Sequence, residues 1–156
     1  MPEEQTIAKA HEDEREGRSP STQAGEFVRE EVHHVREGKH GARSTKQMIA
    51  IGLSKARRAG VKLPAPKKTK SSSRTRQQAQ RDLQKGAGRK RKTSTKRSRA
   101  VKSALNREGR RAGSSKALSK QARSSAGKRS RTSRSMAAKK AARTRNRHRG
   151  RGRNQR

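Results

Sequence analysis

The chain has 156 residues and a formal net charge of +34, with 24% apolar residues, one aromatic (Phe27) and no cysteine. So little apolar material excludes a single large globular domain, because its burial falls short of the conformational entropy lost on folding. Without cysteine there are no disulfides, thiolate zinc sites, iron–sulfur clusters or thiol nucleophile.

The charge is unevenly spread. Residues 1–37 hold ten acids and five bases, whereas residues 38–156 hold two acids, Asp82 and Glu108, and 41 bases. Such a polycation is neutralised by nucleic acid or by an anionic membrane surface. No apolar run approaches the roughly 20 residues of a membrane span, so no membrane partner is expected. The opening MPEEQTIAKAHEDEREG lacks the basic start and apolar stretch of a leader. A cytoplasmic protein is expected.

Residues 1–20 read as an acidic tail, solvated or folded back as a mask over the basic residues. Residues 21–63 read as a helical hairpin. In its first arm, Gln23–Glu37, Val28, Val32 and Val35 form an i, i+4, i+7 stripe flanked by Phe27, and Gly38 stands where a helix stops. In the second arm, Thr45–Ala59, Ser44 to Gln47 match a capping box. Ile49, Leu53 and Ala56 repeat the stripe there, with Met48 flanking. Gly52 beside it admits a close backbone, and Gly60 followed by Leu63-Pro64-Ala65-Pro66 ends the helix. The expected packing is Val28, Val32 and Val35 on Ile49, Leu53 and Ala56. That core is thin enough that a homodimer or a docking partner is the natural remedy.

Residues 64–156 read as a low-complexity basic tail of Lys, Arg, Ser and Ala. Three segments, 98–108, 115–126 and 133–145, become helical when their charge is neutralised. The repeated KRSR (residues 96 and 128) and RRAG (57 and 110) are what chance produces in so small an alphabet. The fold class expected is a mainly disordered chain with α-helical segments, a short hairpin ahead of a basic tail.

The stretch KQMIAIGLSKARRAG followed by VKLPAPK resembles a family of small basic bacterial proteins classed only as a domain of unknown function, over about 40 residues. Downstream, KRSRAVKSALNREGRRAG through RSMAAKKAARTRN resembles the basic tails of bacterial histone H1-like proteins. After residue 66 the chain has 21 Arg against 13 Lys and few prolines, both departures from that pattern. The resemblance implies a nucleoid-associated, DNA-binding role.

The bases themselves point the same way. Residues 67–156 carry 34 of them, enough on full pairing for about 58 Å of duplex at one phosphate per ~1.7 Å. The candidate phosphate contacts begin with Arg43 and Lys46 at the start of the second helix and Lys55, Arg57 and Arg58 in its last turn. They continue through Arg89, Lys90, Arg91 and Lys92, then Lys96, Arg97 and Arg99, then Arg110 and Arg111. Lys128, Arg129 and Arg131 follow, then Lys139, Lys140, Arg143 and Arg145. Arg147, Arg149, Arg151 and Arg153 close the set. With one aromatic, stacking platforms for single strands are lacking, which favours duplex DNA over RNA. The Arg–Gly alternation of RHRGRGRNQR keeps an RNA-associated structural protein open as the alternative. A protein-interaction module merely localised by its basic tail is the third reading.

No catalytic constellation is recognisable. KGAGRKRKTS lacks the strand a phosphate loop needs, and the carboxylates have no evident pocket. No enzyme, cofactor or small-molecule substrate is expected. Glu30 with His34, and His33 with Glu37, are four apart, and His40 is near. Exposed polar helix positions account for them, so no metal is expected.

Overall fold

The computed structural model describes residues 2–88 and 94–151. Its elements are α1 (Glu4–Arg15), α2 (Pro20–Glu37), α3 (Thr45–Arg58), α4 (Ser73–Ala87), α5 (Thr95–Asn106), α6 (Ser115–Gly127) and α7 (Arg131–Arg151), with short 3-10 turns at Lys68–Lys70 and Arg110–Gly113. The chain divides into two units, Met1–Leu118 and Ser119–Arg156. A mainly disordered chain is therefore the wrong fold class. Helix runs through most of the described sequence, and the first unit has a closed core.

Local chemistry sets the helix ends. Pro20 begins α2 at a position where its missing N–H costs nothing, so the helix starts three residues ahead of the expected Gln23. It stops at Gly38, whose φ of 79° is the left-handed cap that only glycine adopts freely. At α3, the Ser44 hydroxyl accepts the Gln47 N–H at 3.2 Å. Gln47 Oε1 accepts the Arg43 N–H at 2.8 Å, one residue earlier than the expected box. In the basic half, α5, α6 and α7 occupy 95–106, 115–127 and 131–151, close to the three segments expected to turn helical.

The hairpin of α2 on α3 is the centre of the first unit; α1 packs on α2, α4 packs on α3, and the Arg110–Gly113 turn touches both hairpin arms. Its buried faces are rotated from the expected stripes. Ala24, Phe27, Glu31 and Val35 line α2, while Thr45, Met48, Gly52 and Ala56 line α3. Both sets have the spacing i, i+3, i+7, i+11. Of the six residues expected to pack, Val35 and Ala56 are fully buried, whereas Val28, Val32, Ile49 and Leu53 are half-buried. The reason is that Glu31 and Gly52 sit at the middle of the true faces, and neither counts as apolar. A Cβ on Gly52 would stand 2.8 Å from Val28 Cα and 3.0 Å from the Phe27 carbonyl oxygen. The missing side chain is what lets the two helices cross so closely.

The core the hairpin lacks is supplied by its own chain. One apolar cluster joins Ala10, Ala24, Phe27, Ala56 and Val61, with Ile7, Leu53, Ala59 and Leu63 around it; the second joins Val35, Ala42, Met48 and Ala112, with Val32 and Leu118. The N-terminal acidic segment is therefore a packed helix, Thr6, Ala10 and Asp13 facing inward. Helix α4, which no pattern in the sequence announced, buries Ala79 and Asp82.

The connection between α2 and α3 is tied to a distant segment. The Gly41 and Ala42 N–H groups donate to the Leu105 and Gly109 carbonyls at 3.0 and 3.2 Å. Thr45 Oγ1 donates to the Ala112 carbonyl at 2.9 Å, and Arg36 Nε to that of Gly113 at 2.8 Å. The two RRAG copies thus do different work. The first ends α3, and the second forms the turn that closes over the hairpin.

In the second unit α7 continues for 21 residues, about 31 Å at 1.5 Å per residue. Its described side chains are exposed.

Candidate nucleic-acid interface and a buried ionic cluster

The structure divides the candidate phosphate contacts into three groups. Arg43, Lys46 and Arg58 are exposed at the two ends of α3. Lys96, Arg97 and Arg99 are exposed on α5, Arg110 and Arg111 on the closing turn, and Lys128 and Arg129 between α6 and α7. Arg131, Lys139, Lys140, Arg143 and Arg145 are exposed on α7. The backbone of Arg147, Arg149 and Arg151 continues that helix. Arg89, Lys90, Arg91, Lys92 and Arg153 lie outside the described residues.

Lys55 and Arg57 belong to the interior instead. Arg57 is 8% exposed and donates through Nε and Nη2 to the Leu63 and Pro64 carbonyls at 3.1 and 3.3 Å. It straps the Leu63–Pro66 segment to the helix it follows. Burial pushes its guanidinium pKa down, and the nearby Asp82 carboxylate opposes that. Asp82 is 2% exposed. It accepts from Ser54 Oγ at 2.6 Å and Gln78 Nε2 at 3.2 Å, so it pins α4 to α3.

Lys55 reaches from α3 to two buried carboxylates of α2. Its ammonium donates to Glu30 Oε1 at 3.0 Å and pairs with Glu31 Oε1. Burial pushes the Lys55 pKa down, but the two carboxylates outweigh it and hold it above its ordinary value. Burial likewise raises the Glu30 carboxyl, yet Lys55 and the Thr6 and Glu3 donors bring it net below the ordinary range. The Glu31 side chain is fully buried, and its Oε2 accepts no hydrogen bond from the described residues.

Two imidazoles converge on that carboxylate. His34 Nδ1 is 3.7 Å from Glu31 Oε1 and His40 Nε2 is 3.4 Å from Glu31 Oε2. The rings meet edge to face with centroids 5.8 Å apart. On its far side each ring has an acceptor. His34 Nε2 lies 2.9 Å from Glu3 Oε1, and His40 Nδ1 lies 3.0 Å from the Gly41 carbonyl. Hydrogen bonds from His34 and then from Lys39 lower the Glu3 pKa. Of the polar residues set aside in the sequence, His33 and Glu37 are indeed exposed. Glu30 and His34 are buried, His40 is half-buried, and Glu31 was overlooked. The signal available was the i, i+1, i+4 run of Glu30, Glu31 and His34, on the face that also carries Phe27 and Val35.

The acids of the N-terminal segment find partners close by. Asp13 accepts from Arg18 Nη1 at 2.9 Å, and Glu3 pairs with Lys39 at 3.2 Å. Among the described residues no helix is long and apolar enough to cross a membrane.

Residues 18–69 match the model of a family of unknown function, DUF6496. That span runs from the residues just ahead of α2 through α3 and the strapped Leu63–Pro66 segment to the 3-10 turn at Lys68–Lys70. No curated protein and no solved structure matches the chain.

Proposed function

We propose that the chain binds nucleic acid, duplex DNA first, by neutralising backbone phosphates with little sequence preference, as a nucleoid-associated protein does. The observation that carries this reading is charge held outside a closed core. Residues 109–156 contain 18 bases and no acid, and the described basic side chains among them are exposed. Helix α7 carries nine bases at offsets that distribute them around the whole helix. It is suited to lie along a groove or between phosphate rows rather than against protein. Phe27, the one aromatic, is fully buried, which leaves no ring to stack on unpaired bases and favours a duplex. On this reading the helical first unit is a carrier, and localisation to the nucleoid follows from the DNA itself.

The test is a salt titration of binding to duplexes of unrelated sequence. Between about 50 and 300 mM salt, log affinity is expected to fall linearly with log salt at a slope of about −6 or steeper, with nearly equal affinities across sequences. Removing residues 129–156 deletes 12 bases and is expected to reduce that slope by roughly half. A slope near −2, or a strong preference for one sequence, overturns the proposal. Structured RNA that outcompetes duplex DNA by about ten-fold shifts the role to an RNA-associated one.

A further inference from the structure

The convergence of Glu31, His34 and His40 leaves a buried carboxylate that two neutral imidazoles do not satisfy. The Glu3 carboxylate and the Gly41 carbonyl both offer acceptor oxygens. His34 Nε2 and His40 Nδ1 must therefore carry the ring hydrogens that face them. In each neutral ring this turns the remaining nitrogen's lone pair toward Glu31, itself an acceptor-only carboxylate in the interior. Two lone pairs aimed at a buried carboxylate repel it, unless positive charge stands between them, as a bound cation or as protons on the rings. Lys55 supplies part of that charge on the Oε1 side, but it is shared with Glu30, and Oε2 has no donor.

We propose that this is a binding site for one divalent transition-metal ion, zinc(II) foremost, held by a carboxylate oxygen of Glu31, His34 Nδ1 and His40 Nε2. The three ligand atoms already lie within 4.8 Å of one another. Tetrahedral zinc with bonds of about 2.0–2.1 Å requires edges of roughly 3.3 Å. The 3.4 and 3.7 Å spacings run to different Glu31 oxygens, so with either oxygen as the ligand one edge is already close to that value and the other two contract from within 4.8 Å. Two imidazoles with one carboxylate suit zinc and its neighbours rather than magnesium or calcium. The outer contacts are those that orient metal-binding histidines: Glu3 fixes His34, and the Gly41 carbonyl fixes His40. Glu30 Oε1, 3.9 Å from His34 Nδ1, or a water completes four-coordination. Glu30 and His34 also line a solvent-open groove of about 200 Å³ with Glu3, Thr6, His33 and Lys39, which brings solvent to the His34 side of the cluster. Bound there, the ion ties α2 to the connection that reaches Leu105 and Gly109.

The experiment uses the full chain stripped with a chelator and titrated with zinc(II) against a chromophoric competitor, and in parallel with cobalt(II). One equivalent is expected to bind with a micromolar or tighter dissociation constant, releasing protons and raising the Tm. Cobalt(II) is expected to give the intense visible bands of four-coordination. His40→Ala, in a half-buried connection, is expected to weaken zinc by at least about 100-fold while helicity persists. Glu3→Ala is expected to weaken it about 10- to 100-fold. His33→Ala, exposed on the same helix, leaves binding unchanged. The proposal is overturned by weak uptake that His33→Ala and His40→Ala reduce alike, by a pale six-coordinate cobalt spectrum, or by no uptake at all.

Discussion

Gly52 and Lys55, three residues apart on α3, set the spacing and the polarity of the hairpin. Alanine at Gly52 meets backbone atoms of α2 at 2.8 and 3.0 Å, which cannot swing aside as a side chain would. Gly52→Ala is expected to destabilise the first unit by about 1–3 kcal/mol, read as a lower urea midpoint, despite the better helix propensity of alanine. Lys55 has a side chain 16% exposed between two carboxylates that are 2% and 0% exposed. Lys55→Ala leaves both without their ammonium, and a loss of about 3–5 kcal/mol is expected. Arg58→Ala, at a side chain 48% exposed, is expected to cost under about 1 kcal/mol. Equal losses for the two in chemical denaturation would place the weight outside the buried pair. If DNA binding follows the exposed bases, Lys55→Ala also leaves the salt slope unchanged in whatever protein remains folded.

Among the elements, α4 depends most on a single contact. It buries little beyond Ala79 and Asp82, and Asp82 is the residue that reaches Ser54 across to α3. Asp82→Ala is expected to free α4. Amide exchange there should rise by about 10-fold or more while α2 and α3 keep their protection. Uniform loss of protection throughout the first unit would instead make α4 inseparable from the core.

The same two scales explain what could be read in advance. Caps and stops were legible because they are written in single residues: Ser44, Gly38, and the prolines after Leu63. The closeness permitted at Gly52 was legible for the same reason. The register of the faces was not, since apolar periodicity gives no weight to a buried glutamate or to a glycine. It therefore selected Val28 and Val32 over Phe27 and Glu31. Helix α4 presents Ala79, Asp82, Leu83 and Gly86 on one side, a face of small and acidic residues that hydropathy passes over. The contacts of residues 105–113 with the α2–α3 connection were equally hidden, because nothing local in RRAG marks it as a closing turn.

For the whole molecule, composition correctly measured the shortage of large apolar side chains but not how little of them a helical unit needs. Alanine, glycine and paired charges fill much of this interior. Ala10, Ala24, Ala42, Ala56, Ala79 and Ala112 are all buried, each letting backbones approach where a larger residue would fill space. The acids are few, and Glu30, Glu31 and Asp82 are consumed inside, so the surface is more cationic than an even distribution would make it. A salt slope far shallower than the number of exposed bases suggests would count against phosphate pairing as the use of that surface.

The tie between the α2–α3 connection and residues 105–113 also sets an order of events during synthesis. Both hairpin helices are made early, yet the carbonyls of Leu105 and Gly109 and the Ala112–Gly113 turn arrive 64 to 77 residues after their partners. A chain made only as far as residue 104 has both hairpin segments but none of those carbonyls, and it already carries 27 of the 46 bases. Completion of the fold is therefore a late, long-range event in the life of each molecule, timed by elongation rather than by the hairpin's own speed.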